Sequence, residues 1–317
     1  MAPAKFGDST TAEEAAALFA ASSITDKVVI VTGASLGGLG AETARVVAKH
    51  SPKLLIIAGR SQEKLDETEE FIKKESPDAK THKLMIVLAS LESVRKAAAE
   101  VVALKLPVDV LINNAAIMAC PYTTTADGFE SQLGVNHLGP FLFTNLLRSQ
   151  ILASPHPRVV NVSSKGHTIT DILYEDPGFS GGKKYNLWAA YGQSKTANIL
   201  FAVALKKRWG VEAFALHPGM ITTNLSRHIT LEERVKMGFC KPDGTPIDNP
   251  GSKRKSLGEG ASTTIVAAFD PTIAPLAVSY LSDAQIANQD AKPYALDEAN
   301  AERLWALSEM MIGETFA

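Results

Sequence analysis

The sequence predicts a single-domain α/β fold, a doubly wound parallel sheet with helices on both faces. Three observations lead there. Apolar runs such as Val28–Val31 and Leu54–Ala58 lack polar alternation, so they suit strands covered on both faces. Stretches of helical period separate them, which implies right-handed crossovers between parallel strands. The first run ends in Thr32-Gly33 and a glycine-rich turn that opens a helix. In such sheets ligands sit beyond the carboxyl ends of the strands.

Each element follows in order. Residues 1–26 read as an N-terminal helical extension, with Thr10 or Thr11 capping a helix through Glu13, Glu14 and the alanines to Ala21. The main domain, 27–317, starts with the strand Val28–Val31 and a helix from Ala41 to His50, stopped before Pro52. Leu54–Ala58 and the polar-faced helix Ser61–Lys74 form the next pair, then Leu84–Leu88 and Leu91–Leu104. Val108–Ile112 is the fourth strand. Helical signal runs from Asp127 to Gln150, with a kink expected at Gly139-Pro140. After Val159–Val162 a long loop reaches Asn186, a helix spans Leu187–Arg208, and Val211–Leu216 is a sixth strand. From about 220 to 258 the period is lost among several Gly and Pro, so this segment is either a substrate-covering lid or a disordered loop. Asn300–Ile312 reads as a closing amphipathic helix.

Composition bounds the function. The chain has 317 residues, 45% of them hydrophobic, enough for a substantial core. A net charge of −2 argues against nucleic acid or an anionic membrane as partner. The basic run Lys253-Arg254-Lys255 reads as a solvated loop. The two cysteines, Cys120 and Cys240, form neither a disulfide framework nor a metal cluster, so no metal is expected and a reducing, cytoplasmic location is the default. No apolar run is long enough to span a membrane, and no signal-peptide pattern is present.

Two motifs carry chemistry. In Thr32-Gly33-Ala34-Ser35-Leu36-Gly37-Gly38-Leu39-Gly40 the glycines let a pyrophosphate approach the backbone, and the helix start offers free N–H groups. This is the Rossmann-like context for a dinucleotide. The spacing also resembles the start of a P-loop, but Leu39-Gly40 stand where Lys and Ser/Thr are needed, which argues against triphosphate chemistry. The second motif is Tyr191-x3-Lys195. Its spacing puts phenol and ammonium on one helix face, where the cation favours the phenolate. Alone the pair is weak, since about 0.4 such pairs are expected by chance. Its company decides: Asn113-Asn114-Ala115-Ala116, Ser163-Ser164 and Pro218-Gly219 end predicted strands, and Asn136 lies in a helix between them. All can converge on one cleft.

This combination resembles the short-chain dehydrogenase/reductase family over residues 27–312. Within it the chain is most similar to the branch of retinol-dehydrogenase-like and WW-domain-oxidoreductase-like enzymes, fungal members especially. That closer likeness rests on Val135-Asn136-His137-Leu138-Gly139, the long insert between Ser164 and Tyr191, and Ala197-Asn198-Ile199-Leu200-Phe201. The resemblance implies that Tyr191 is the general acid/base, that Lys195 lowers its pKa and holds the nicotinamide ribose, and that Ser164 bonds the reacting oxygen. Asn136 then organises a water path behind Lys195. Gly33, Ser35, Gly38, Leu39, Gly40, Asn114, Ala115, Ala116, Pro218, Gly219, Ile221 and Thr223 fall on the cofactor side. Three departures stand out: an extra residue in the turn, read as Gly37; Val87 where the family has Asp; and Ala116 in place of Gly.

Arg60 and Ser61 follow the second strand, where an acidic residue would bind the ribose hydroxyls of NAD(H). Arg60 suits a 2′-phosphate instead, so NADP(H) is the expected cofactor, with NAD(H) still open. The expected activity is hydride transfer between the nicotinamide cofactor and a carbonyl/alcohol pair on an apolar small molecule. A homodimer stays open. The alternative from another class is a non-catalytic NAD(P)-binding sensor or scaffold protein on the same fold.

Overall fold

The computed structural model describes residues 6–247, 253–274 and 279–316. In chain order the elements begin with α1 (Ala12–Phe19), β1 (Val28–Thr32), α2 (Leu39–Ala48), β2 (Leu54–Gly59), α3 (Gln62–Glu75), β3 (Thr81–Met85), α4 (Leu91–Ala103) and β4 (Val110–Asn113). Next come α5 (Ser131–Leu133), α6 (Gly139–Leu146), α7 (Arg148–Leu152), β5 (Arg158–Val162), α8 (Leu187–Trp209) and β6 (Glu212–His217). The last third holds β7 (Met220–Ile221), α9 (Leu231–Lys236), β8 (Arg254–Lys255), α10 (Leu257–Phe269), β9 (Ser279–Ser282), β10 (Gln285–Ile286), α11 (Pro293–Leu296) and α12 (Glu298–Ile312).

The strands pair in the order β3-β2-β1-β4-β5-β6-β9-β10, parallel throughout except for β10. The order reverses between β1 and β4, which opens a crevice at their carboxyl ends. Alternate residues of each strand feed opposite layers. Val28 and Ile30 join a core with Phe141, Leu200 and Trp305, on the side of α4, α6, α8 and α12. Val29 and Val31 join a second core with Val47, Ile265 and Phe269, on the side of α2 and α10.

Helix α1 belongs to that second layer. Thr11 and Glu14 form a reciprocal capping box, and Ala12, Ala15, Ala16 and Phe19 are buried in the core shared with α10. Arg45 of α2 reaches Glu13 (2.7 Å), Glu42 (2.8 Å) and Glu75 (2.7 Å), tying α1 and α3 to α2.

Several elements differ from expectation. The third strand is Thr81–Met85, not Leu84–Leu88. It lies at the sheet edge, where His82 and Lys83 find partners in Glu100 and in Asp66 and Glu69. The apolar signal came from Ile86 and Leu88, which have already left the sheet. The long helical signal breaks twice: a π-turn at Gly134–Leu138 leads into Gly139-Pro140, and the chain bends again at Leu147. Helix α10 follows another capping box, Ser256 with Glu259, that the reading passed over. Strands β9 and β10 were also missed. They form a tight hairpin through Asp283 and Ala284, both at positive φ. Residues 248–252 of the irregular segment lie outside the described residues. Its feet, β7 and β8, pair in parallel.

Candidate active site

A cleft of about 1510 Å³ lies over the carboxyl ends of β1, β2, β4, β5 and β6. It exceeds the ~300–1,000 Å³ of an ordinary small-molecule pocket, so it has room for two ligands side by side.

One end is the glycine turn. Gly33 is at φ +71°, and a Cβ there would stand 2.7 Å from the Ala115 Cα. A Cβ on Gly40 would stand 2.5 Å from the Gly33 oxygen. These glycines pack the turn against the segment after β4, while Gly37 takes up the extra residue at φ +75°. Thr32 clamps the same junction: its Oγ1 accepts from Asn114 N (3.0 Å) and Ala115 N (3.1 Å), and Asn114 Nδ2 donates to the Thr32 carbonyl (2.8 Å). Gly38 caps α2 without a side chain, so the first N–H groups of α2 stay available to an anion. A cradle of this kind fits the diphosphate of a dinucleotide.

The other end holds the titratable groups. Long helix α8 presents Tyr191 and Lys195 to the end of β5. Lys195 Nζ donates to the Val162 carbonyl (3.0 Å) and lies 5.6 Å from the centre of the Tyr191 ring. The Tyr191 phenol and the Ser164 hydroxyl face the same cleft, close enough that the serine acts to hold the phenol's pKa down. A Cβ on Gly166 would stand 2.8 Å from the Tyr191 ring, so the bare glycine lets the phenol lie against the turn after β5. Burial dominates both charges. It pushes the phenol up to about 12, with the Ser164 hydroxyl opposing, and pulls the Lys195 ammonium down to about 7.

Both serines border the cleft, and their hydroxyl partners tell them apart. Ser163 Oγ donates to the Lys195 carbonyl (2.7 Å) and is buried structure. Ser164 Oγ accepts from Gly166 N (3.0 Å) and faces the cleft beside Tyr191. Asn136 sits behind. Its Oδ1 accepts from Ile117 N (2.8 Å), and its Nδ2 donates to Ile117 O (2.9 Å) and Ser194 Oγ (2.9 Å). Pro140, with no N–H, gives the Asn136 carbonyl no α-helical donor.

Gly33, Ser35, Gly38, Leu39, Arg60, Asn114, Ala115 and Ala116 line the cleft, as do Pro218, Gly219, Ile221 and Thr223. Gly40 packs beneath the turn, and Ser61 caps α3 by accepting from Lys64 N (3.4 Å). Met118 reaches the cleft, whereas Cys120 is packed against Ser131. Sequence reasoning passed over Lys64, which lines the cleft beside Arg60 one turn into α3. It also misread the basic run: Lys255 is buried beneath Gly219 in an ion pair with Asp283, and Arg254 bonds the Phe239 carbonyl. Asp283 arrives from the β9–β10 turn, which no local charge count can see.

Comparison with known proteins identifies the family. The family described as short chain dehydrogenase matches residues 27–234. The chain is 38% identical over 293 residues to human retinol dehydrogenase 13, covering 92% of this chain and 86% of that protein. It is 35% identical over 306 residues to the short-chain dehydrogenase/reductase prx1 of Penicillium rubens, covering 92% and 86%. Among solved structures, an uncharacterized protein from Mycobacterium paratuberculosis superposes with a TM-score of 0.71 at 33% identity, covering 94% of this chain and 98% of that one. A short chain dehydrogenase from Escherichia coli, complexed with NADPH, shares the fold at 19% identity and a TM-score of 0.59, over 82% and 97%. The chain belongs to the short-chain dehydrogenase/reductase family and is an enzyme of its retinol-dehydrogenase-like group.

Proposed function

We propose that this enzyme uses NADP(H) to interconvert a carbonyl and an alcohol on an apolar small molecule, with Tyr191 as general acid/base. The observation that carries the reading is the Tyr191 phenol beside the Ser164 hydroxyl, with Lys195 at its flank, in the cleft that holds the glycine turn. The bound cofactor supplies or accepts the hydride. In the reducing direction Tyr191 gives its proton to the substrate oxygen, which Ser164 holds. Lys195 binds the ribose and favours the phenolate that results. The Asn136 carbonyl is the start of the water path that returns a proton to Lys195.

Arg60 and Lys64 support the choice of NADP(H), since both are cations lining the cleft beyond β2 and no carboxylate stands between Gly59 and Glu63. Met118, Ile169, Trp188, Leu225, Met237 and Phe239 wall the same cleft, which supports an apolar substrate under a lid formed by 220–258. No helix among the described residues is long and apolar enough to cross a membrane. A cytoplasmic location belongs to the same reading, supported by two free thiols.

The test is NADPH consumption with 4-nitrobenzaldehyde, nonanal, cyclohexanone and retinal, by wild type and Tyr191→Phe. Wild type should turn over at least one aldehyde. The variant should bind NADPH normally and lose about 10²–10⁴-fold in kcat. A variant keeping a tenth of the wild-type rate refutes the role of Tyr191. A wild type that binds NADPH and reduces nothing favours the non-catalytic alternative.

A further inference from the structure

We propose that His167 is a positioning residue for Ser164: its neutral ring holds the Ser164 carbonyl and so aims the Ser164 hydroxyl at the Tyr191 phenol. The inference rests on the roles just given to Ser164 and Tyr191.

His167 lies on the short 3-10 segment Lys165–Thr168, which Ser164 caps, and it is fully buried. Its two ring nitrogens have opposite duties. Nδ1 stands 2.7 Å from the Ser164 carbonyl; a carbonyl only accepts, so Nδ1 carries the hydrogen. Nε2 stands 3.2 Å from the Lys292 backbone N–H, which only donates, so Nε2 is bare. The two bonds admit one neutral tautomer. A second ring proton would face the Lys292 N–H, and burial already lowers the affinity of the ring for that proton.

The Ser164 carbonyl thereby accepts twice, since His167 N also donates to it at 3.1 Å. The Ser164 hydroxyl is fixed from the same turn by Gly166 N. His167 is itself anchored: its carbonyl accepts from Thr196 Oγ1 (3.1 Å), the neighbour of Lys195 on α8, and from Tyr294 OH (2.7 Å) on α11. The ring of Tyr280, a cleft residue, packs edge-on at 5.2 Å. The imidazole is therefore a bracket between the serine and two other elements, the backbone at Lys292 that leads into α11 and the Tyr280 ring on β9, while the His167 carbonyl holds α8 and α11. A histidine that merely fills space has no need to spend its one donor on the residue that faces the substrate.

The test compares His167→Asn with His167→Gln. The Asn amide nitrogen falls near the Nδ1 position and can still donate to the Ser164 carbonyl. The Gln amide falls near Nε2 and serves Lys292 instead. With nonanal or 4-nitrobenzaldehyde and NADPH, His167→Gln should lose about tenfold to hundredfold in kcat. His167→Asn should stay within about threefold of wild type, and NADPH Kd should change little in either. In a Ser164→Ala background His167→Gln should cost nothing more, because the hydroxyl it misplaces is gone. Equal kcat for His167→Gln and wild type overturns the proposal, and so does an undiminished loss in the Ser164→Ala background. If Ser164→Ala alone leaves kcat intact, the reading of the active site fails first. Should a variant fold poorly, ¹⁵N NMR of the wild-type imidazole decides: an Nδ1–H tautomer supports the bracket, and an Nε2–H tautomer overturns it.

Discussion

Lys195 offers a prediction whose size follows from its surroundings. The side chain is 1% exposed, and burial brings its ammonium down to about 7. Near neutrality only part of the free protein is charged at this position. The ribose hydroxyls and the diphosphate favour the ammonium, so the complex holds its proton to higher pH than the free protein. Binding therefore takes up a proton, and affinity must fall as pH rises through 7. If only the charged form binds, Kd scales as 1 + 10^(pH − 7), a weakening of about fiftyfold between pH 7 and pH 9. The assay is cofactor fluorescence at fixed ionic strength, for wild type and Lys195→Met, which keeps the apolar stem. The variant should bind at least as weakly as wild type does at pH 9, with no slope. A 2′-phosphate, whose second pKa is near 6, acts alike in both proteins and cancels. A flat wild-type curve, or an equal slope in Lys195→Met, would falsify the coupling.

Three further outcomes are expected. Ser164→Ala should lower kcat by about 10²-fold, while Ser163→Ala, which loses only a bond to the Lys195 carbonyl, should chiefly lower the thermal midpoint; the reverse order means the wrong serine faces the substrate. Arg60→Asp should shift kcat/KM toward NADH by about tenfold or more relative to NADPH, and Lys64→Glu in the same direction by less; no relative shift removes the argument for the 2′-phosphate. Trp305→Ala opens a hole beside Phe141 (4.9 Å between ring centres) and beneath Arg208, so urea unfolding should show a loss of about 3–5 kcal/mol with kcat per folded molecule unchanged.

What the sequence made legible was mostly local. Tyr191 and Lys195 share a helix face because their spacing alone fixes it. The glycine turn announced itself between an apolar run and a helix. The strand ends carrying Asn114, Ser164 and Pro218 followed from the βα alternation, and the choice of Ser164 over Ser163 came from family likeness rather than from the residues. What stayed hidden depends on partners far along the chain. Lys255 reads as solvated until Asp283 is placed against it. His167 looks like any loop histidine until Lys292 and Thr196 close round it. Helix α10 did carry a local sign, Ser256-x-x-Glu259, masked by the glycine and proline of the segment before it. The edge strand β3 misled because its polar residues are satisfied sideways, by α3 and α4, and leave no apolar alternation to find.

The docking of α1 on α10 bears on how the chain comes to be folded. The two helices are separated by nearly the whole sequence, yet Ala12, Ala15, Ala16 and Phe19 are covered only once α10 has taken its place. During synthesis α1 thus leaves the ribosome long before the helix that shelters it. The sheet can assemble outward from β1 as each strand appears, but its second layer stays open until the final quarter of the chain arrives. An early release of the nascent chain would strand an apolar helix without a seat, which makes this segment a natural landing point for chaperones and a sensitive place for peptide tags.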